Sequence, residues 1–179
     1  MKLHLGCGWR NFGKDWVHID GGNYDHLDFK DIKNLIFEDE TVDLIYCSHV
    51  IEYFDRHEIQ NILKEWNRVL KKGAVLRIAV PDFNVLSELY HHKKISLDQI
   101  LGPLYGKMNM GETTIYHKTC YDFDSLENLL INSGFSKIKK YDWRTTEHAN
   151  FDDHSQAYIP HMDKENGQLI SLNIECIKN

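Results

Sequence analysis

Near the N-terminus, Gly6 and Gly8 follow the short apolar run "KLHL", and Asp20 closes a second run, "WVHI". Glycine lets backbone N–H groups approach a ligand closely. A carboxylate that ends the second strand of an open α/β sheet accepts hydrogen bonds from ribose hydroxyls. "GCG" by itself equally marks a plain strand-ending turn, and it is Asp20 that tips the pattern toward a nucleoside ligand. A dinucleotide site needs GxGxxG opening a full helix, yet Trp9 and Asn11 occupy the second half of that pattern here. The stretch "WRNFGKDWVHI" between Gly8 and Asp20 leaves little room for a helix whose N-terminus would neutralise two phosphates. A ligand with a ribose and no pyrophosphate fits better, which argues against a nicotinamide-dependent reductase.

Other reactive residues are dispersed. The chain has 11 histidines, but no HExxH spacing places two imidazoles on one helical face, and His91 and His92 diverge on a helix; no metal is expected. Cys7, Cys47, Cys120 and Cys176 lie far apart without a CxxC pair, which suggests reduced thiols rather than a zinc site or a disulfide framework.

The elements that must position these residues are those of a parallel α/β sheet, because short β-rich runs alternate with helical patterns. "KLHL", "WVHI", "VDLIYCSHV", "AVLRIAVPD", "SKIKKYDW" and "LISLNIECI" read as strands. In "RHEIQNILKEWNRVLKKG" the residues Ile59, Ile62, Leu63, Trp66, Val69 and Leu70 fall at helical spacing, with Gly73 as the stop. "FNVLSELYHH" is predicted helical, as is "DFDSLENLLINSGF", capped by Asp124 or Ser125 and ended by Gly134. The segments 102–120 and 145–168 read as loops, and Asp43 as a structural turn residue. At 179 residues, 42% hydrophobic and 27% charged, the chain suits one soluble domain. A formal charge of -6 does not favour nucleic acid or an anionic membrane as partner. No run is long and apolar enough for a membrane span or an export signal, so a cytoplasmic location is expected.

Four motifs in order resemble those of class I S-adenosylmethionine (SAM)-dependent methyltransferases: the glycine turn with its acid, "DIKNLIFEDETVDLIYCSHVIEYF", "LKEWNRVLKKGAVLRIAVPD" and "YDFDSLENLLINSGFSKIKKYDW". The likeness runs from Lys2 to about Trp143. It is greatest to compact methyltransferases of the type 11 group associated with surface-polysaccharide assembly. The resemblance implies a Rossmann-like α/β fold over residues 1–179, a mostly parallel sheet with an antiparallel last strand, and SAM as cofactor. It implies that Gly6 and Gly8 face the methionine part, Asp20 the ribose, Asp31 and Ile32 the adenine, and Ser48 and His49 the methylsulfonium. Two positions depart from the family: His4 stands where an acid is usual, and Arg10 where a third glycine is frequent. Arg10 can pair with the methionine carboxylate through two hydrogen bonds, or be a surface arginine.

Methyl transfer from a sulfonium needs a well-placed nucleophile and a destination for its proton. By location the candidate bases are His49, Asp82, His117 and His154, with His117 and His154 at the acceptor and His49 beside the cofactor. Histidine titrates near neutrality and suits that role. Tyr105, Tyr116 and Met108 are candidates for an apolar acceptor wall. The expected acceptor is a small molecule or a glycan precursor. The alternative is a non-catalytic binding or scaffolding module that keeps the fold, to which His4 and the short first crossover point.

Overall fold

The structure is a computed structural model that describes residues 1–110 and 113–179. Gly111 and Glu112, inside the predicted loop 102–120, lie outside the described residues. In chain order the elements are β1 (Lys2–Leu5), β2 (Trp16–Ile19), β3 (Val42–Ser48), α1 (Ile59–Val69), β4 (Leu70–Pro81), α2 (Phe83–His91), α3 (Leu97–Tyr105), β5 (Met108–Asn109), β6 (Thr114–Ile115), α4 (Phe123–Asn132), β7 (Phe135–Lys140), β8 (Tyr158–Ile159), β9 (Gln168–Leu169) and β10 (Ser171–Lys178). One six-stranded sheet has the order β2-β1-β3-β4-β10-β7. The pairs β1/β2, β1/β3 and β3/β4 are parallel, and β10 runs antiparallel to both β4 and β7. This is the mixed α/β sheet with an antiparallel last strand that the resemblance implies.

Period-2 alternation separates the two faces. Leu3 and Leu5 of β1, Ile45 and Cys47 of β3, Leu76, Ile78 and Val80 of β4, and Leu172 and Ile174 of β10 build one apolar face. Helix α1 covers it with Ile59, Ile62, Leu63, Trp66 and Val69, and α4 with Leu126 and Leu130. The intervening positions, among them His4, His18, Tyr46, Arg77, Asn173 and Glu175, face the other side. The segment after β7 closes that side with an aromatic and histidine layer. The rings of His4 and Phe12 stack at 3.9 Å, those of Tyr46 and His148 lie 3.9 Å apart, and those of Phe12 and Phe151 4.6 Å apart. Arg77 bridges Glu147 at 3.0 Å and Glu175 at 2.8 Å, joining this cover to the sheet. His4 is thereby accounted for as a packed ring.

Burial holds the imidazoles of this layer neutral: His4 well below the usual histidine value, His18 lowered, and His148 pushed down to about 4. As pH falls below about 6.5 the unfolded chain takes up protons that the folded chain refuses, so each such group costs stability at ~1.4 kcal/mol per pH unit until its own folded pKa is reached, which for His148 is about 4. Urea unfolding at several pH values is expected to show stability falling steeply below pH 6. A midpoint unchanged from pH 7 to pH 4.5 would mean that these rings are protonated in the fold.

Irregular chain occupies residues 20–41, between β2 and β3, and α1 supplies several of its hydrogen bonds. The Trp66 indole donates to the Ile32 carbonyl at 2.7 Å, and the Arg68 guanidinium donates to the carbonyls of Leu35 at 3.0 Å and Phe37 at 2.9 Å. Glu65 accepts from the Leu35 N–H at 3.0 Å.

Four expectations change. Helix α1 ends at Val69 rather than running to Gly73, because buried Leu70 is extended and pairs with Val42; the chain then bulges before Val75 meets Leu44. The cap of α4 is Asp122, whose carboxylate accepts the Ser125 N–H at 2.9 Å while the Ser125 hydroxyl receives the Asp122 N–H at 3.1 Å. The predicted loop 102–120 begins inside α3, whose start carries a capping box from Ser96 and Gln99, and it continues through the β5/β6 pair. Asp43 lies within β3, where it bonds Lys71 at 2.7 Å.

Candidate active site

The carboxyl edge of the parallel strands carries the glycine turn. Gly6 at φ 67° and Gly8 at φ 57° adopt the left-handed conformation, and a Cβ on Gly6 would strike Val50 Cγ2 at 2.1 Å. A Cβ on Gly8 would meet no atom within 4 Å, so the turn is open on that side. Asp20 is buried, and its two oxygens accept separate backbone N–H groups, Gly8 at 2.8 Å and Gly22 at 2.7 Å. The acid therefore fixes the glycine turn. An ionised carboxylate has about four acceptor sites, so both oxygens retain capacity toward a diol.

Beyond Ile19 the chain forms a pocket of about 270 Å³ lined by Ile19, Phe29, Asp31, Asn34 and Phe37 among others. Asp31 accepts from the Lys33 N–H at 2.7 Å and the Asn34 amide at 2.9 Å, and the Asn34 hydrogen bond leads the causes that lower its pKa. The carbonyl of Ile32 is taken by Trp66, and its side chain packs on the core. At the end of β3 the Ser48 hydroxyl is buried with no partner among the described residues.

A larger cavity of about 710 Å³ adjoins this edge. Arg10, His49, Tyr53, Met108, His117 and His154 share its wall with residues of α3 and of the segment 152–162. His49, His117 and His154 are thus brought to one cavity from three distant parts of the chain. Asp82 is not: it is buried as the cap of α2, accepting the Val85 N–H at 3.3 Å. Met108 lines the cavity, whereas Tyr105 and Tyr116 do not and are 60% and 51% exposed.

The three histidines differ in what holds them. The His117 Nδ1 lies 3.1 Å from the Pro103 carbonyl, which only accepts, so Nδ1 carries the hydrogen and Nε2 is bare. The His49 Nε2 lies 3.1 Å from the Ser171 hydroxyl. Ser171 has one hydrogen and faces two pure acceptors, Asn173 Oδ1 at 2.9 Å and the Val80 carbonyl at 3.4 Å. It therefore accepts from His49 Nε2–H, which leaves Nδ1 bare. The ring of His154 makes no hydrogen bond with another described residue and lies 5.2 Å from the His49 ring. Its neighbour Asp153 is anchored by the Tyr46 hydroxyl at 2.5 Å and by the Ser155 N–H at 2.8 Å.

One member of this group escaped the sequence reading. Glu52 is fully buried, neither carboxyl oxygen has a hydrogen-bond partner among the described residues, and burial pushes its pKa up to about 8. Its Oε1 lies 3.7 Å from His49 Nδ1 and 3.8 Å from His117 Nε2. The spacing of Glu52 three residues after His49 was visible in the sequence, but its closeness to His117 was not.

Residues 17–78, from β2 into β4, match the family model of a methyltransferase domain. Over that stretch the chain is similar to a methyltransferase domain. No curated protein sequence matches it. Among solved structures, this chain resembles a SAM-dependent methyltransferase of Methanosarcina mazei (19% identity, TM-score 0.60, covering 99% of this chain and 91% of the other). It also resembles a SAM-dependent methyltransferase of Thermotoga maritima described as a possible histamine N-methyltransferase (16% identity, TM-score 0.59, 99% and 81%). A third likeness is to the structure of the complex between the Haloferax volcanii Trm112 methyltransferase activator and a candidate methyltransferase (16% identity, TM-score 0.54, 99% and 81%). No helix among the described residues of this chain is long and apolar enough to cross a membrane.

Proposed function

We propose that this protein is a class I SAM-dependent methyltransferase that acts on a hydroxyl or amine of a small polar acceptor, a sugar-type molecule first among them, held in the 710 Å³ cavity. The observation that carries this reading is the shared wall: Arg10 and His49, from the cofactor edge, line the same cavity as His117 and His154 of the acceptor-side segments. SAM supplies an already activated methyl group, so the residues of the chain have to bind, orient and manage one proton.

Gly6, Gly8 and Asp20 hold the methionine and ribose parts. The open side of Gly8 and the remaining acceptor sites of buried Asp20 fit that role. Asp31, with the apolar walls of the pocket beyond Ile19, receives the adenine, the Ile32 backbone beside it, and the unpartnered Ser48 hydroxyl faces the sulfonium end. Arg10 donates its Nε–H to the Asp152 carbonyl at 2.7 Å, which turns its other guanidinium N–H groups to the methionine carboxylate. His154, with an unbonded ring, takes the proton of the nucleophile, while His49 and His117 are held by Ser171 and Pro103.

Asp20→Ala is expected to weaken SAM binding by ~1.5–3 kcal/mol, the scale of hydrogen bonds to a charged group. The loss shows in calorimetric titration with far-UV dichroism unchanged, and an unaltered dissociation constant would remove Asp20 from the site. The acceptor class is tested by following S-adenosylhomocysteine formation with panels of nucleotide sugars, other small polar metabolites and small amines. The amine panel is included because of the description of the Thermotoga neighbour. Turnover with none of them would overturn the small-acceptor reading.

A further inference from the structure

Glu52 sits where no part of the proposed binding scheme needs a carboxyl group. It lies in the turn Ile51–Tyr53 that follows β3, and its carbonyl accepts the Lys118 N–H at 2.8 Å, which ties that turn to the chain leaving the β5/β6 pair. Its side chain is fully buried and unpartnered, while two ring nitrogens flank its Oε1 at 3.7 and 3.8 Å. Both of those nitrogens are bare, because Ser171 and Pro103 fix the tautomers of His49 and His117. The other titratable groups acting around it are Cys47 in β3, Tyr53 beside it and Tyr121 before α4, all held neutral by burial. A buried carboxyl with two acceptors beside it and no cation is built to hold a proton or to answer a positive charge arriving next to it.

We infer that Glu52 is the charge-compensating group of the methyl-transfer site, ionised while the sulfonium is bound and protonated once it is gone. The inference rests on the reading that places the sulfonium beside Ser48 and His49. A positive charge there favours the carboxylate, and His49 and His117 stay neutral beside it. During transfer the acceptor's lone pair forms the new bond to the methyl carbon, and the pair of the broken carbon–sulfur bond stays on sulfur. The acceptor's proton goes to His154 and ends on Glu52. One positive charge disappears from sulfur and one negative charge from Glu52, so the buried site is neutral before and after the step.

The readout is the proton count on binding, in the protein without acceptor. SAM and S-adenosylhomocysteine differ only by the methyl group and its sulfonium charge. Calorimetric titrations at pH 7 in buffers of different ionisation enthalpy are expected to show release approaching one proton per site for SAM and none for S-adenosylhomocysteine. Glu52→Gln keeps N–H donors for the two bare nitrogens but cannot ionise. It is expected to bind both ligands with equal proton counts and to lose the wild-type preference for SAM. Equal proton counts for the two ligands in the wild-type protein would overturn the assignment while leaving the cofactor site intact. Binding of neither ligand would overturn the site reading, and the assignment with it.

Discussion

His154→Ala is expected to lower kcat by a factor of ~10²–10⁴, the range over which positioned general bases contribute, with the dissociation constant of SAM unchanged. Three features motivate this. The ring lines the cavity proposed for the acceptor, it has no hydrogen bond to another described residue, and the turn that carries it is anchored at Asp153 by Tyr46 from the middle of β3. His49→Ala and His117→Ala are different cases, because each ring is bonded to the protein and also faces Glu52. Those variants are expected to alter cofactor binding or folding as well as turnover, so His154 is the clean test. Measured against any acceptor found in the panels, a kcat within a factor of about three of the wild type would exclude His154 as the base, since general-base loss is much larger. A drop in kcat matched by an equal loss of SAM affinity would instead place it at the cofactor.

The largest expected effect on stability is at Trp66. Truncation to alanine removes the largest fully buried side chain, at the centre of the face that α1 lays on the sheet. Such losses cost about 3–5 kcal/mol in cores that cannot collapse around the cavity. The indole hydrogen bond to the Ile32 carbonyl goes too, and with it one of the ties that hold the irregular chain bearing Asp31. Urea unfolding of Trp66→Ala should therefore show a lower midpoint with the slope unchanged, and SAM affinity should fall alongside. Trp66→Phe separates the two contributions: it restores most of the apolar packing without the N–H donor. If Trp66→Phe binds SAM as the wild type does, the Ile32 hydrogen bond plays no part in holding the adenine side of the site.

The pH dependence of the fold has a second, opposing component at Glu52. A carboxyl whose folded pKa is raised to about 8 contributes stability fully present below its unfolded value near 4.5 and lost as pH rises through 8. The buried histidines act in the reverse sense below about 6.5. Together they place the stability maximum near neutral pH.

By itself the sequence determined the sheet and its two faces. Alternation in "KLHL", "IYC", "LRIAV" and "SLNIEC" sends Leu and Ile one way and His, Tyr, Arg and Asn the other, and this is a local property of extended chain. The helical spacing of Ile59 to Val69 likewise needs no partner to be read, nor do the glycines and Asp20 that end two neighbouring strands. Tertiary structure decided what local pattern cannot carry. Helix α3 was hidden because Gly102 and Pro103 are poor helix residues, yet they fall in its last turn, where packing of Ile100 with Leu86 and Ile170 outweighs propensity. The cap of α4 fell on Asp122 rather than on either of the two candidates after it, since a cap depends on where the backbone turns. Above all, which histidine is unbonded, and which carboxyl lies between the other two, depends on Ser171, Pro103 and the return of His117 to Glu52. Those contacts join residues far apart in the chain, and a tautomer is set by whichever distant acceptor the fold brings to the ring.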